Sequence, residues 1–171
     1  NLRTRTQTLK AVIMASAWHN VEGNSRVSDK DGVGGVHAAA ADAVVRDKQY
    51  VDGTLTAASF TNGVKDISVR LQAASRTRVC VVWFSNANSS YSTDNLDMDL
   101  DLVILDPKLR TVASSADTKS GFEIVQFLPK MTGNYTVRLQ KQRFTGTSEP
   151  FAVAWSDRQD MATCQVKLNG T

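Results

Sequence analysis

Asp97-Met98-Asp99-Leu100-Asp101-Leu102-Val103-Ile104-Leu105-Asp106-Pro107 is the stretch whose reading decides the fold. Apolar Met98, Leu100, Leu102 and Ile104 alternate with Asp97, Asp99 and Asp101. A period of two is what a strand with one buried face requires. Asp106-Pro107 closes the run, because proline cannot donate to a sheet and favours a turn.

The same period recurs on both sides. It predicts strands over 54–60, 66–73, 77–84, 98–105, 109–114, 122–128, 134–141, 150–156 and 162–168. Turn residues separate them at Thr61-Asn62-Gly63, Asp106-Pro107, Pro129 to Gly133, and Thr145 to Pro150. Many short strands with regular turns and no intervening helix predict a mainly β chain, an antiparallel jelly-roll β-sandwich. The Ser- and Asn-rich stretch 85–96 reads as a long loop, and no internal repeat is visible.

Two α-helices precede the strands. Thr4-Arg5-Thr6-Gln7 has the spacing of a capping box, with Thr4 as the cap. Leu9, Val12, Ile13 and Ser16 follow at helical spacing, predicting a helix over 6–17. Residues 20–35 are polar and glycine-bearing, hence a loop. Val36, Ala39, Ala40, Ala43 and Val44 form one stripe of a second helix over 36–48. Helices this short need a core to lean on. The expected division is 1–50 for the helical part and 51–171 for the sandwich.

Composition narrows the function classes. The 171 residues are 42% hydrophobic and 22% charged, enough to bury a core. The formal net charge is +3 with basic residues scattered, which argues against nucleic acid as a partner. No apolar run approaches the ~20 residues that span a bilayer. Cys80 and Cys164 fit either a disulfide closing a long loop or two buried free thiols. Three tripeptides, at Asn88, Asn134 and Asn169, match the glycosylation pattern, which arises often by chance.

Two blocks carry a family resemblance. Thr4, Gln7, Leu9 and Ile13, then Gly32, Gly34, Val36, Ala38, Ala39 and Ala40, resemble the last two helices of the catalytic domain in subtilisin-like serine peptidases. Val79-Cys-Val-Val-Trp83, Asp99-Leu-Asp-Leu-Val-Ile-Leu-Asp-Pro107, Val112-Ala-Ser-Ser115, Glu123-Ile-Val-Gln-Phe127 and Gly133-Asn-Tyr-Thr-Val-Arg138 resemble the sandwich that many secreted subtilases carry next. That sandwich is of the pre-peptidase C-terminal or convertase P-domain kind. The resemblance implies a secreted location and a peptidase parent acting on protein or peptide substrates. It also implies that the Asp/His/Ser machinery lies before Asn1, so this chain carries no catalytic residues and its partner is the catalytic part of the same peptidase. A free-standing sandwich that binds glycan or a cell-surface protein is the alternative.

Gly146-Thr147-Ser148 spells the start of the subtilase serine motif, but Glu149-Pro150 and a strand follow it instead of a helix. It reads as a hairpin turn. His19 and His37 read as surface or capping histidines, since no serine and carboxylate are spaced to join either one. Asp29-Lys30-Asp31-Gly32 opens like a calcium loop, yet Val33 and Ala40 stand where oxygen donors are needed, so it reads as a turn.

Asp97, Asp99 and Asp101 are the metal candidates. On a strand they project from one face about 7 Å apart, and like charges in a row need an offset. A calcium ion is one solution, with Asp94 and Asn95 adjacent. The other is bonding to loop N–H groups or to Arg138 and Lys141. No other cofactor is expected. Trp83, Phe127, Tyr135 and Trp155 fall at strand positions that suit a core, and Trp18 ends the first helix.

Overall fold

The computed structural model describes residues 5–18, 27–28, 32–84, 86–87, 90, 92 and 94–158. Helices α1 (Thr6–Ser16) and α2 (Ala38–Arg46) come first. The strands follow as β1 (Tyr50–Leu55), β2 (Val64–Leu71), β3 (Thr77–Val82), β4 (Asn86–Ala87), β5 (Asp94–Asn95), β6 (Met98–Leu105), β7 (Thr111–Ser115), β8 (Phe122–Phe127), β9 (Gly133–Phe144) and β10 (Glu149–Ser156). The expected strand over 162–168 lies outside the described residues.

One sheet has the order β1-β10-β3-β8 and the other β2-β9-β6-β7, all antiparallel. The order follows from nested pairing. β6 pairs β7, β3 pairs β8, β2 pairs β9 and β1 pairs β10, as in one long hairpin rolled up so that alternate pairs fall in opposite sheets. That is the jelly roll the turn spacing predicts. A short ribbon of β4 and β5 sits inside the long connection from β3 to β6, where a plain loop is expected.

The space between the sheets is the main core. Met98, Leu100, Leu102 and Ile104 enter it from β6, as the alternation requires, and Val79 and Val81 of β3, with Trp83 just after it, belong to the same cluster. Trp83 and Tyr135 are fully buried there, and Phe127 and Trp155 pack against the cluster, as expected of strand aromatics.

A second core lies on the outer face of the first sheet. Ala11, Val12, Met14 and Ala15 of α1 and Val44 of α2 pack on Cys80, Val82, Ile124, Ala152 and Ala154. In β10 the large residues Phe151 and Val153 face the sandwich interior while Ala152 and Ala154 lie under the helices. Small side chains let a helix backbone approach a sheet closely. Every residue of β3 is buried, because both of its faces are covered.

This placement rotates α1 from the expected stripe. Its buried face is Thr8, Ala11, Val12, Met14, Ala15 and Ser16, while Leu9 is exposed and Ile13 half-buried. Thr8 is turned inward by Asp52 of β1, whose carboxylate accepts from the Thr8 hydroxyl at 2.6 Å and from Arg5 at 2.9 and 3.2 Å. The N-cap is Arg5, with no side-chain capping bond; Thr4 lies outside the described residues. Likewise α2 buries Ala40, Ala43 and Val44, while Val36 precedes the helix and is 72% exposed.

β1 begins at Tyr50, earlier than the expected 54, because α2 ends abruptly. Lys48 adopts φ 53°, its N–H bonds to the carbonyl of Val45, and the Gln49 N–H bonds to that of Val44. This left-handed reversal delivers the chain directly into the sheet.

Candidate functional site

Asp97, Asp99 and Asp101 lie at the start of β6, on the side facing away from the core. Their surroundings differ. Asp101 accepts from the Gln142 side chain at 2.6 Å. Asp97 is touched by the Thr145 hydroxyl at 3.3 Å. Asp99 is 4% exposed and its Oδ1 has no hydrogen-bond partner. Burial pushes the Asp99 carboxyl up; Arg143 opposes this, while Asp101 and Asp117 add to it.

The expected neighbours Arg138 and Lys141 are occupied elsewhere. Arg138 forks onto Asp66 of β2 at 2.8 Å through both of its bonds, and Lys141 lies over the Phe60 ring. The reason is register. β6 and β9 slip by one residue between Asp99 and Leu100, which sets Asp99 opposite Arg143 rather than a residue nearer Lys141. Among the described residues no group of three or more His, Cys, Asp or Glu side chains is gathered as a metal cluster.

Glu123 of β8 is a second buried acid and belongs to the same electrostatic neighbourhood. It accepts from the Asp117 N–H at 2.6 Å. Burial raises its pKa, with hydrogen bonds from Ser115 and Asp117 opposing. Sequence reading missed it, although an acid flanked by Phe122, Ile124 and Val125 is the available signal.

The serine-motif look-alike lies on the connection between β9 and β10. Ser148 is exposed and begins no helix. The segment crosses from one sheet to the other, so it is a turn between sheets and not the hairpin expected from sequence. His37 is buried and caps α2, its Nδ1 accepting from the Ala40 N–H at 3.2 Å. Its ring stacks on Trp18, with centroids 5.5 Å apart. His19, Asp29, Asp31 and Cys164 lie outside the described residues. Ser28 and Gly32 exchange two backbone hydrogen bonds, and the turn expected between them lies outside the described residues. Cys80 is a free thiol beneath α1, 4.0 Å from the Met14 sulfur, and burial raises its pKa.

A group that sequence reading did not single out organises the helix layer. Arg78 is fully buried on the outer face of β3. Its guanidinium forks onto the Gln126 side-chain oxygen at 3.1 and 3.0 Å. Nη1 donates to the carbonyls of Met14, Ala17 and Val33 at 3.4, 3.2 and 2.9 Å. A cation at the end of α1 also meets the negative pole of the helix dipole. The outer side of the helix layer carries Leu9, Trp18 and Val36, all exposed, with Trp18 at 41%. Trp18 is the one exposed aromatic among the described residues.

No family model matches the chain, and no curated protein matches it. Among solved structures, the chain is similar to the pre-peptidase C-terminal domain of collagenase from Bacillus anthracis. That likeness has a TM-score of 0.42 at 13% identity, over 62% of this chain and 86% of that one. It is also similar to PliG from Aeromonas hydrophila, a periplasmic inhibitor of g-type lysozyme, with a TM-score of 0.36 at 16% identity, over 63% and 82%.

Proposed function

We propose that this jelly roll is a non-catalytic accessory domain of a secreted subtilisin-like serine endopeptidase, and that it stabilises the catalytic part or shapes access of protein substrates to it. The observation that carries the reading is the two-sided helix layer. One side is packed on the first sheet, and the other presents Leu9, Trp18 and Val36 to solvent. A surface covered by another protein body would present exposed apolar groups of this kind. The phrases that resemble those of subtilases support the catalytic part of the same peptidase as that body.

The rival reading, a free-standing module for glycan or a cell-surface protein, calls for a cluster of exposed aromatics. Trp18 is solitary among the described residues and stacked on His37.

The reading frame around this chain tests the proposal directly. A Gly-Thr-Ser-x-Ala-x-Pro shortly upstream of Asn1 is expected, and its absence from a complete upstream frame removes the subtilase parentage. On the chain itself, a serine-directed phosphonate probe should label nothing. Labelling at Ser148 would show that the exposed turn is chemically competent.

A further inference from the structure

We infer that the cavity at the C-terminal end of β10 binds a small zwitterion, an α-amino acid with an apolar side chain. The cavity holds about 190 Å³. It is lined by Arg70 and Leu71 at the end of β2, by Trp155 of β10, by Asp157 and Arg158 just after that strand, and by Gln49 just ahead of β1. Drug-sized ligands fill clefts of about 300–1,000 Å³, so this one suits a smaller molecule.

Unsatisfied polar atoms gather here. Among the described residues four buried side-chain atoms lack a hydrogen bond, and three of them belong to residues lining this cavity: Gln49 Oε1, Asp157 Oδ1 and Arg158 Nε. Asp157 Oδ1 and Arg158 Nε stand 3.2 Å apart as an ion pair, yet their alignment makes no hydrogen bond. A buried acceptor without a donor is costly, so a ligand that donates to it gains.

The charges of the lining come from the two sheets. After β10, the Arg158 guanidinium is shared by two carboxylates, Asp157 and Asp47, each at 3.2 Å. One guanidinium between two carboxylates leaves one negative charge over. From β2, Arg70 makes no side-chain hydrogen bond or ion pair with a described residue. An ammonium group suits the surplus carboxylate and Gln49 Oε1, and a carboxylate suits Arg70, because charge-assisted bonds are the strong ones. Leu71 and Trp155 supply the apolar part of the lining for a hydrocarbon side chain. A neutral polyol would satisfy the acceptors but would leave Arg70 without an anion. No residue of α1 or α2 lines the cavity, so this site stands apart from the accessory-domain reading.

Titration of the full chain with L-leucine, followed by nuclear magnetic resonance at the Arg70 Nε–H and the Gln49 side-chain amide, tests the inference. Both signals should shift and saturate within the tens-of-millimolar range. L-Leucinamide, which lacks the carboxylate, and isocaproate, which lacks the ammonium, should each bind about tenfold or more weaker. Arg70→Gln, an exposed change, should weaken L-leucine by about tenfold and leave L-leucinamide unchanged. Asp157→Asn should weaken L-leucine by a similar factor without weakening isocaproate. Absence of any shift at both groups overturns the inference and leaves the cavity to water. Equal affinity for the three compounds, or D-glucose binding as tightly as L-leucine, overturns it as well.

Discussion

The Nη1 of Arg78 lies 3.2 Å from the carbonyl oxygen of Ala17, at the end of α1. A strand residue of the sandwich thus terminates the first helix, and the Val33 carbonyl ahead of α2 is held by the same nitrogen. Buried carbonyls and a buried guanidinium satisfy each other without a carboxylate among the described residues. The arrangement ties both helices to β3 in one polar node inside an otherwise apolar interface.

Removing this node should be costly. Arg78→Ala leaves the carbonyls of Met14, Ala17 and Val33 without their donor and opens a void. A loss of roughly 3–5 kcal/mol in chemical denaturation is expected. Arg78→Lys keeps the charge but not the planar fork onto Gln126, so its loss should be smaller. An Arg78→Ala protein as stable as wild type would show that the helix layer does not depend on the node.

Acid stability should be biphasic. Burial holds Asp99 and Glu123 above the usual carboxylate range. A carboxyl whose folded pKa is raised destabilises the fold once pH exceeds that pKa, so moving down from neutral pH relieves both groups and Tm should rise. Asp66, Asp106 and Asp117 behave oppositely. The Arg138 fork lowers Asp66, the Arg110 fork lowers Asp106, and the Ser120 hydroxyl lowers Asp117. Their stabilisation is complete above the unfolded carboxylate range and is lost as pH falls below it. Tm measured against pH should therefore peak in the mildly acidic range, and Asp99→Asn should flatten the rise between neutral pH and that peak. A profile that falls steadily from neutral pH contradicts the assignment.

Calcium at Asp97, Asp99 and Asp101 is tested by the same melting experiment. The unpartnered Asp99 Oδ1 is the group an ion would satisfy. A calcium ion held there would raise the wild-type Tm relative to chelator and leave Asp99→Asn unmoved. Identical wild-type curves in calcium and chelator remove the metal reading.

Lys48 sits at φ 53°, a backbone region where side chains other than glycine are strained. Lys48→Gly should stabilise the protein by about 0.5–1 kcal/mol, the relieved strain exceeding glycine's extra chain entropy. Lys48→Ala retains the strain and should not. Equal stability of the Gly and Ala variants would place the α2 terminus in another conformation.

Much of the architecture was legible because it rests on periodicity. The β6 alternation gives both the strand bounds and the inward face, and the Gly, Pro and Asn turns separate the eight strands of the two sheets but not the short β4–β5 ribbon. The helix faces were harder. Leu9 and Val36 look like core positions on a helical wheel, but Ala152 and Ala154 admit only a close, small-residue face, and Thr8 is drawn in by Asp52. The clue lay in β10 itself, where large residues alternate with alanine instead of with polar residues, a sign that both of its faces are covered. The row of aspartates was legible as a row. Which of them keeps an unsatisfied oxygen depends on the slip opposite Gln142, and no local pattern encodes it.

The sequence by itself determined the elements: two helices, then strands with one face greasy enough to pair in two layers, since side-chain period is a property of the local chain. Only the tertiary structure decided which strands nest, which sheet the helices cover, and that Arg78 is buried with carbonyls for partners. Those outcomes depend on contacts between residues far apart in the chain, and their energies exist only once the layers have closed.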